Sequence, residues 1–343
     1  MLSVKFTNFK TTALFIERHA DANIVCAAGD TALKLLSKKV KESHGTIRRL
    51  LDRGDLYDLQ LQTDTEEPKT RAGSCITPLA IFDEIVGNNT IELISKVDRQ
   101  LQENLISQTE LDSALLASVT FNSLPLVEAF LQRGSRTSCR NMYMQTPLHL
   151  AVTREDSKSM VELLVQHNAP TGVRDLVCCT PIHVAVSMGK PGLAVVEKLL
   201  PTGGLFDDFD DPEALIPSDE TVEKFSGKWD GSYKYWSWSQ FKVSPTHITI
   251  EFFEKRSPDK WHLPWFRYEG EDDAGAYLIY GFVYGDGEVR FLKLYDHHGW
   301  YSKGKLEAGT GEDEGKLLIK GRWGESDDRW HGTIEFKKVV EDP

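Results

Sequence analysis

Two rhythms of apolar residues divide the chain. In the first three-fifths, apolar positions cluster at helical spacing, as in Met160-Val161-Glu162-Leu163-Leu164 and Val195-Val196-Glu197-Lys198-Leu199-Leu200. That spacing predicts helices that each bury one side. From Phe225 onward the pattern becomes an alternation broken by turn residues, which predicts antiparallel strands. Eight strands are expected, over 228–238, 246–254, 261–269, 276–284, 288–295, 300–306, 316–323 and 330–339. In the fourth, Ala276, Leu278, Tyr280 and Phe282 share one face, and Tyr277, Ile279, Gly281 and Val283 the other. Short turns such as Asp286-Gly287 join them. An up-and-down meander of this kind avoids raw edges by closing on itself.

The helical part repeats. Thr146-Pro147-Leu148-His149-Leu150-Ala151 returns 34 residues later as Thr180-Pro181-Ile182-His183-Val184-Ala185. Each copy is followed by a second apolar helix. This resembles the ankyrin repeat, with its period near 33 residues and T-P-L-H-x-A signature. In that register weaker copies run from Leu111 to Ser135, from Thr77-Pro78-Leu79, and from Thr31-Ala32-Leu33-Lys34. Leu14–Asn23 reads as the end of a partial one. Five units and an N-terminal fragment are expected over about residues 10–206. Thr suits the helix cap, Pro the first position, and Gly54 and Gly134 the positive φ where a helix stops. No single unit buries its apolar face, so neighbours must stack. The polar stretch 62–70 is expected to be a loop tip. His149 and His183 are expected to bond within and between repeats rather than to hold a metal. Cys178 and Cys179 are expected to be ordinary thiols on a hairpin finger.

Charge and composition sharpen the division. Residues 1–206 carry 23 acids and 22 bases, residues 207–343 carry 29 and 18, and the chain's net charge is −12. All eight tryptophans fall in the second part and all five cysteines in the first. The expected layout is therefore a repeat domain over 1–206, an acidic linker over 207–221, and a β-barrel domain over 222–343. The fold class is multidomain: an all-α ankyrin solenoid plus an all-β antiparallel up-and-down barrel of about eight strands. Five unspaced cysteines point to reduced thiols and a cytoplasmic or nuclear setting. No apolar run is long enough for a membrane span. The acidic second half has no basic stripe, which disfavours nucleic acid.

The barrel's opening, Gly227-Lys228-Trp229, resembles the G-x-W start of lipocalin-like barrels. The resemblance implies a mouth able to hold a small hydrophobic ligand, with Trp236, Trp238, Trp265, Tyr280, Tyr284 and Trp300 as candidate lining. The acids of 269–273 and the pair His297-His298 are expected in solvated turns. No nucleophile elbow, phosphate loop or zinc motif is present, and no cofactor is implied. The leading expectation is a protein-binding adaptor whose concave face and finger tips dock a protein through Asn141, Tyr143, Met144, Arg154, Leu176, Val177 and Met188. Apolar and aromatic groups on exposed tips are the usual mark of such a contact. The alternative is a small-molecule carrier, or a cyclase- or isomerase-type enzyme in the barrel cavity with the repeats as scaffold.

Overall fold

The computed structural model describes residues 12, 15–18, 20–25, 30–53, 56–62, 76–154, 157–199, 217–237, 240–253, 265–285, 287–326 and 329–340. The loop tip 63–70, Gly54, Trp238, Trp261 and residues 200–216 of the connector region lie outside them, as does the side chain of Trp236. The chain forms two compact units, Met1–Pro170 and Thr171–Pro343.

Among the described residues the first unit holds four helical hairpins: α1 (Ala32–Ser37) with α2 (Val40–Arg53), α3 (Pro78–Val86) with α4 (Thr90–Gln102), α5 (Gln108–Thr120) with α6 (Leu124–Gln132), and α7 (Pro147–Ala151) with α8 (Lys158–Gln166). The first helix of each is capped by a hydroxyl, from Thr31, Thr77, Ser107 and Thr146. At Thr146 the cap is reciprocal. The hydroxyl meets Nδ1 of His149 at 2.9 Å, and the imidazole also reaches the Thr146 backbone N–H. His149 is buried, so this histidine acts as a clasp on the helix start. Helix ends are turned by residues at positive φ: Asn88, Asn104, Asn122, Asn168 and Gly134.

The inner helices α3, α5 and α7 pack in chain order, and the outer helices α4, α6 and α8 pack alongside. The first hairpin departs from this order. Its second helix, α2, packs on the inner helix α3. The end of α1 meets the ends of α5 and α7, where Lys34, Ser37 and Lys38 lie beside Thr120, Leu150, Thr153 and Arg154. The segment after α2 crosses α5, where Ser113 donates to the Leu59 carbonyl at 2.9 Å. Residues 30–53 and 56–62 therefore lie on the inner-helix side of the other hairpins. Helix α5 shows the result: from Glu110 to Thr120 every residue but Ser113 is buried. A helix buried all round has no free face.

The second unit starts with the hairpin α9 (Pro181–Ser187) and α10 (Leu193–Leu199), followed by α11 (Asp219–Phe225) and nine strands. These are β1 (Gly227–Ser237), β2 (Gln240–Ile250), β3 (Phe252–Phe253), β4 (Trp265–Asp272), β5 (Gly275–Val283), β6 (Glu288–Leu294), β7 (Gly299–Ala308), β8 (Leu317–Ser326) and β9 (Arg329–Lys338). All pair antiparallel in the order β2-β1-β9-β8-β7-β6-β5-β4-β3. Only Glu251 separates β2 from β3, and this one stretch pairs with β1 at its start and β4 at its end. The eight strands so counted form a nearly closed barrel. Strand β2 starts earlier than the alternation suggested and runs through Pro245, which sits opposite Ser232. Proline is tolerated because β2 is hydrogen-bonded to a neighbour on one side only.

The barrel interior is a packed aromatic and aliphatic cluster of Trp229, Tyr233, Ile248, Phe266, Tyr277, Ile279, Phe291, Ile319, Ile334 and Phe336. The outer face of β5 to β7 is buried as well. Leu278, Tyr280, Phe282, Leu292, Leu294 and Tyr301 are all buried there. Strands buried on both faces lose the apolar–polar alternation, which explains the unbroken run from Tyr277 to Val283. What lies on that outer face is the last helical hairpin. Helix α9 packs on β6, β7 and β8, and the His183 ring meets Tyr301 edge-on at 4.7 Å.

Candidate functional site

Two loops before the T-P-L-H-type helices have the same construction, 34 residues apart. In the first, Asn141 Oδ1 accepts from the backbone N–H of Tyr143 and Gln145 at 3.0 and 2.9 Å. In the second, Asp175 Oδ1 accepts from Val177 and Cys179 at 3.0 and 2.9 Å. Each side chain mimics a turn of backbone. Each loop holds one residue in the left-handed region, Met144 at φ 62° and Cys178 at φ 60°. These are the fingers expected from the sequence.

Their surroundings differ. The first finger is covered at its aromatic residue by its own unit, while Met142, the counterpart of Leu176, is 40% exposed. Asn141 is fully buried, Tyr143 is 9% exposed, and the Tyr143 hydroxyl donates to the Asn23 carbonyl at 2.5 Å. Arg154 donates to the Ser37 carbonyl at 3.2 Å. The expectation that Asn141 and Tyr143 stand free at a tip is corrected by this packing. The second finger presents Leu176 at 64% exposure and Val177 at 37%. Met144 and Met188 are half-buried. Cys179 is buried and Cys178 half-buried.

The barrel interior holds a polar cluster built on Lys293 and Asp272. Lys293 faces inward from β6 with its side chain fully buried, and its ammonium lies 2.5 Å from Asp272 Oδ2. Tyr295 donates to the same oxygen at 2.7 Å. The ammonium sits over the rings of Tyr277, Tyr233 and Tyr295 at 3.7, 4.4 and 5.2 Å, each a favourable cation–π contact. Burial pulls the Lys293 pKa down to about 8, against the pull of Asp272. Burial acts to raise Asp272, but the Lys293 and Tyr295 donors outweigh it and hold the carboxyl below its usual range. The pair is thus ionised at neutral pH. Asp272 was expected in a solvated turn, yet only 2% of its side chain is exposed. The inward parity Val289, Phe291, Lys293, Tyr295 was the available signal for this lysine, since a charge on a core-facing register needs a partner.

Of the six candidate lining residues, Trp300 packs against the interior cluster. Trp265, Tyr280 and Tyr284 do not line it. The inward positions of β5 are Tyr277, Ile279 and Val283, so Tyr280 and Tyr284 point outward. Trp265 stacks on Tyr280 at 6.3 Å. Tyr280 donates to Glu197 of α10 at 2.5 Å. His298 stacks on Tyr295 at 4.6 Å, and burial lowers its pKa.

The hairpin and barrel meet closely where Lys190 N–H donates to the Tyr295 carbonyl at 2.6 Å. A Cβ at Gly299 would strike the Val186 carbonyl, and one at Gly189 (φ 70°) the backbone of Tyr295 and His298. These glycines permit backbone-to-backbone approach.

Comparison with family models matches three ankyrin repeats over residues 92–210. The chain carries ankyrin repeats, joined to an antiparallel barrel. Among solved structures, it is similar to the ankyrin repeat domain of Bcl-3, described as a unique member of the IkappaB protein family. The identity is 20%, over 59% of this chain and 84% of that one, with a TM-score of 0.30. Comparison with curated proteins returns no match. Among the described residues no helix is long and apolar enough to cross a membrane, and no cluster of three or more metal-ligating side chains is present.

Proposed function

We propose that the protein is a protein-binding adaptor whose partner docks on the finger that precedes α9. The observation that carries this reading is the contrast between two fingers of one design. The first has its aromatic residue covered, whereas the second offers Leu176 and Val177 to water. The turn is set by Asp175 and needs no apolar side chain at either position. Adjacent exposed apolar groups on a rigid loop suit a protein contact. Met188, at the end of the helix this finger precedes, extends the same reading. Replacing Leu176 and Val177 with serine should cut partner capture from an extract at least 10-fold, equivalent to about 1.4 kcal/mol, with thermal stability unchanged. Full capture by the double variant would reject this surface.

The barrel, in this reading, is a C-terminal cap that covers the last repeat. A solenoid needs an end that shields its final apolar face, and the burial of Tyr280, Leu292 and Tyr301 beside α9 and α10 supports that role. The carrier or enzyme reading draws less support, because the interior positions pack against one another and the lysine there is paired.

A further inference from the structure

The first finger is covered by a segment whose contacts are mostly main-chain. Three successive carbonyls of Leu56-Tyr57-Asp58-Leu59-Gln60-Leu61-Gln62 accept hydrogen bonds from the repeats. Tyr57 O accepts from the Met142 N–H at 3.2 Å, Asp58 O from Asn141 Nδ2 at 3.2 Å, and Leu59 O from Ser113 Oγ at 2.9 Å. In return Gln62 N–H donates to Arg140 O at 2.9 Å, and Leu61 and Asn141 form an antiparallel bridge. Leu56 and Leu59 are buried, fixing the register. Residues 57–59 form a turn, with the Leu59 and Gln60 N–H groups donating to the Leu56 carbonyl at 3.1 and 3.2 Å, and Leu61 is bridged as in a strand. Main-chain bonds hold the segment, and Leu56 and Leu59, one turn apart, anchor it.

Two observations mark the segment as an occupant rather than part of the finger's own fold. The sister finger at Asp175 keeps the same turn with Leu176 and Val177 exposed, so the turn itself needs no such cover. The fit is also imperfect. Asp58 Oδ2 is buried without a hydrogen-bond partner, and burial raises the Asp58 pKa despite the nearby Lys34. A segment that buries an unsatisfied oxygen is one a better-matched segment can displace.

We propose that the first finger and the inner helix α5 form a receptor for a short, turn-forming acidic–apolar peptide segment. The chain's own residues 56–62 fill this receptor until a partner segment of the same chemistry competes for it. This rests on the reading of the repeats as a protein-docking surface and names a second site on them. Asn141 belongs to the receptor, where its amide reads the segment's backbone.

The test uses the full chain with Leu56→Ser and Leu59→Ser, which empties the two apolar pockets. The probe is a labelled synthetic peptide, Asp-Leu-Tyr-Asp-Leu-Gln-Leu-Gln, matching residues 55–62. It should bind the double variant at least 10-fold more tightly than the wild type, and Ser113→Ala in the variant should weaken that binding. Equal binding to both chains, or to neither, overturns the proposal. If the variant fails to fold, hydrogen exchange on the wild type decides. The Gln62 and Met142 amides should open in a step separate from α6 and α8. Exchange of all of them only in one global event would make 56–62 a fixed layer of the core. Loss of peptide binding alone would leave the finger at Leu176 standing. Peptide binding with no effect of Leu176 and Val177 substitution would reject that finger alone.

Discussion

The hydroxyl of Tyr280 donates to the carboxylate of Glu197 at 2.5 Å, tying the outer face of β5 to the last repeat helix across 83 residues of chain. Burial, the larger cause, and the neighbouring carboxylate both push the phenol pKa well above its usual range. Tyr280→Phe removes the donor, and water can take its place on the exposed Glu197 carboxylate. A loss of about 0.5–1.5 kcal/mol is expected in chemical denaturation of the whole chain. Gly299→Ala should act on the same seam by steric overlap with Val186, at about 1–3 kcal/mol. Wild-type stability in both variants would mean that this seam does not hold the hairpin to the barrel.

Lys293 and Asp272 should behave as one unit. Lys293→Met strands a buried carboxylate and should destabilise the barrel by about 3–5 kcal/mol, whereas adding Asp272→Asn should recover part of the loss. A double variant as unstable as the single one would show the two charges to be independent. The lysine's folded pKa of about 8 lies below its free value of 10.5. Between those values the unfolded chain binds more protons than the folded one, so this group makes stability rise with pH across that window. Asp272, whose pKa is also depressed, gives the same slope at low pH: the stability it lends fades as the pH falls and the carboxyl protonates. In Lys293→Met the alkaline rise should vanish, measured as denaturation midpoints between about pH 8 and 10.

Helix starts, fingers and the change from helix to strand were legible in the sequence because each depends on neighbouring residues. Thr146-Pro147 and Thr180-Pro181 cap and begin helices wherever they fall. The barrel's parity was visible too, but not which parity faced in, since Tyr277 and Tyr280 serve equally well on a strand buried on both sides. Position in the stack was not legible at all. Thr31-Ala32-Leu33-Lys34 imitates the repeat start and does cap a helix. Yet Lys34 stands where His149 clasps its threonine, and the Thr31 hydroxyl donates instead to Asp58 at 2.9 Å. That long-range contact belongs to the different placement of the first hairpin. The exposure expected of Asn141 and Tyr143 failed for the same reason.

Asp58 should make the hold of the N-terminal segment depend on pH. Burial raises its folded pKa, so its neutral form suits the folded state. Its contribution is present in acid and is lost as pH rises through the folded value. Protection factors of residues 56–62 should therefore increase on acidification relative to those of α6. Asp58→Asn should abolish that dependence and raise protection at neutral pH. An unchanged pH profile in the variant would place the sensitivity elsewhere.

Within α8, two adjacent leucines should separate cleanly. Leu164 is fully buried, and Leu163 is only half-buried. Leu164→Ala should cost about 2–5 kcal/mol and Leu163→Ala distinctly less. Leu35 of α1 is likewise half-buried beside fully buried Leu33 and Leu36, so its truncation should resemble that of Leu163. Equal losses at Leu163 and Leu164, measured by urea unfolding, would contradict the packing described for this hairpin.

The place to cut the chain also follows from the packing. A division at the acidic connector would leave residues 222–343 without α9 and α10. The outer face of β5 to β7, with Tyr280, Phe282, Leu292, Leu294 and Tyr301, would lose the helices that lie on it. An apolar face of that extent promotes association. A fragment from 171 to 343 keeps the hairpin, the Tyr280–Glu197 bond and the contact of Lys190 with Tyr295. It should be monomeric and melt cooperatively, with tryptophan fluorescence reporting the barrel. The fragment from 222 should bind a hydrophobic dye, melt at lower temperature and aggregate. If the shorter fragment proves as stable and as soluble as the longer one, the last repeat is a passenger on the barrel and the cap reading fails.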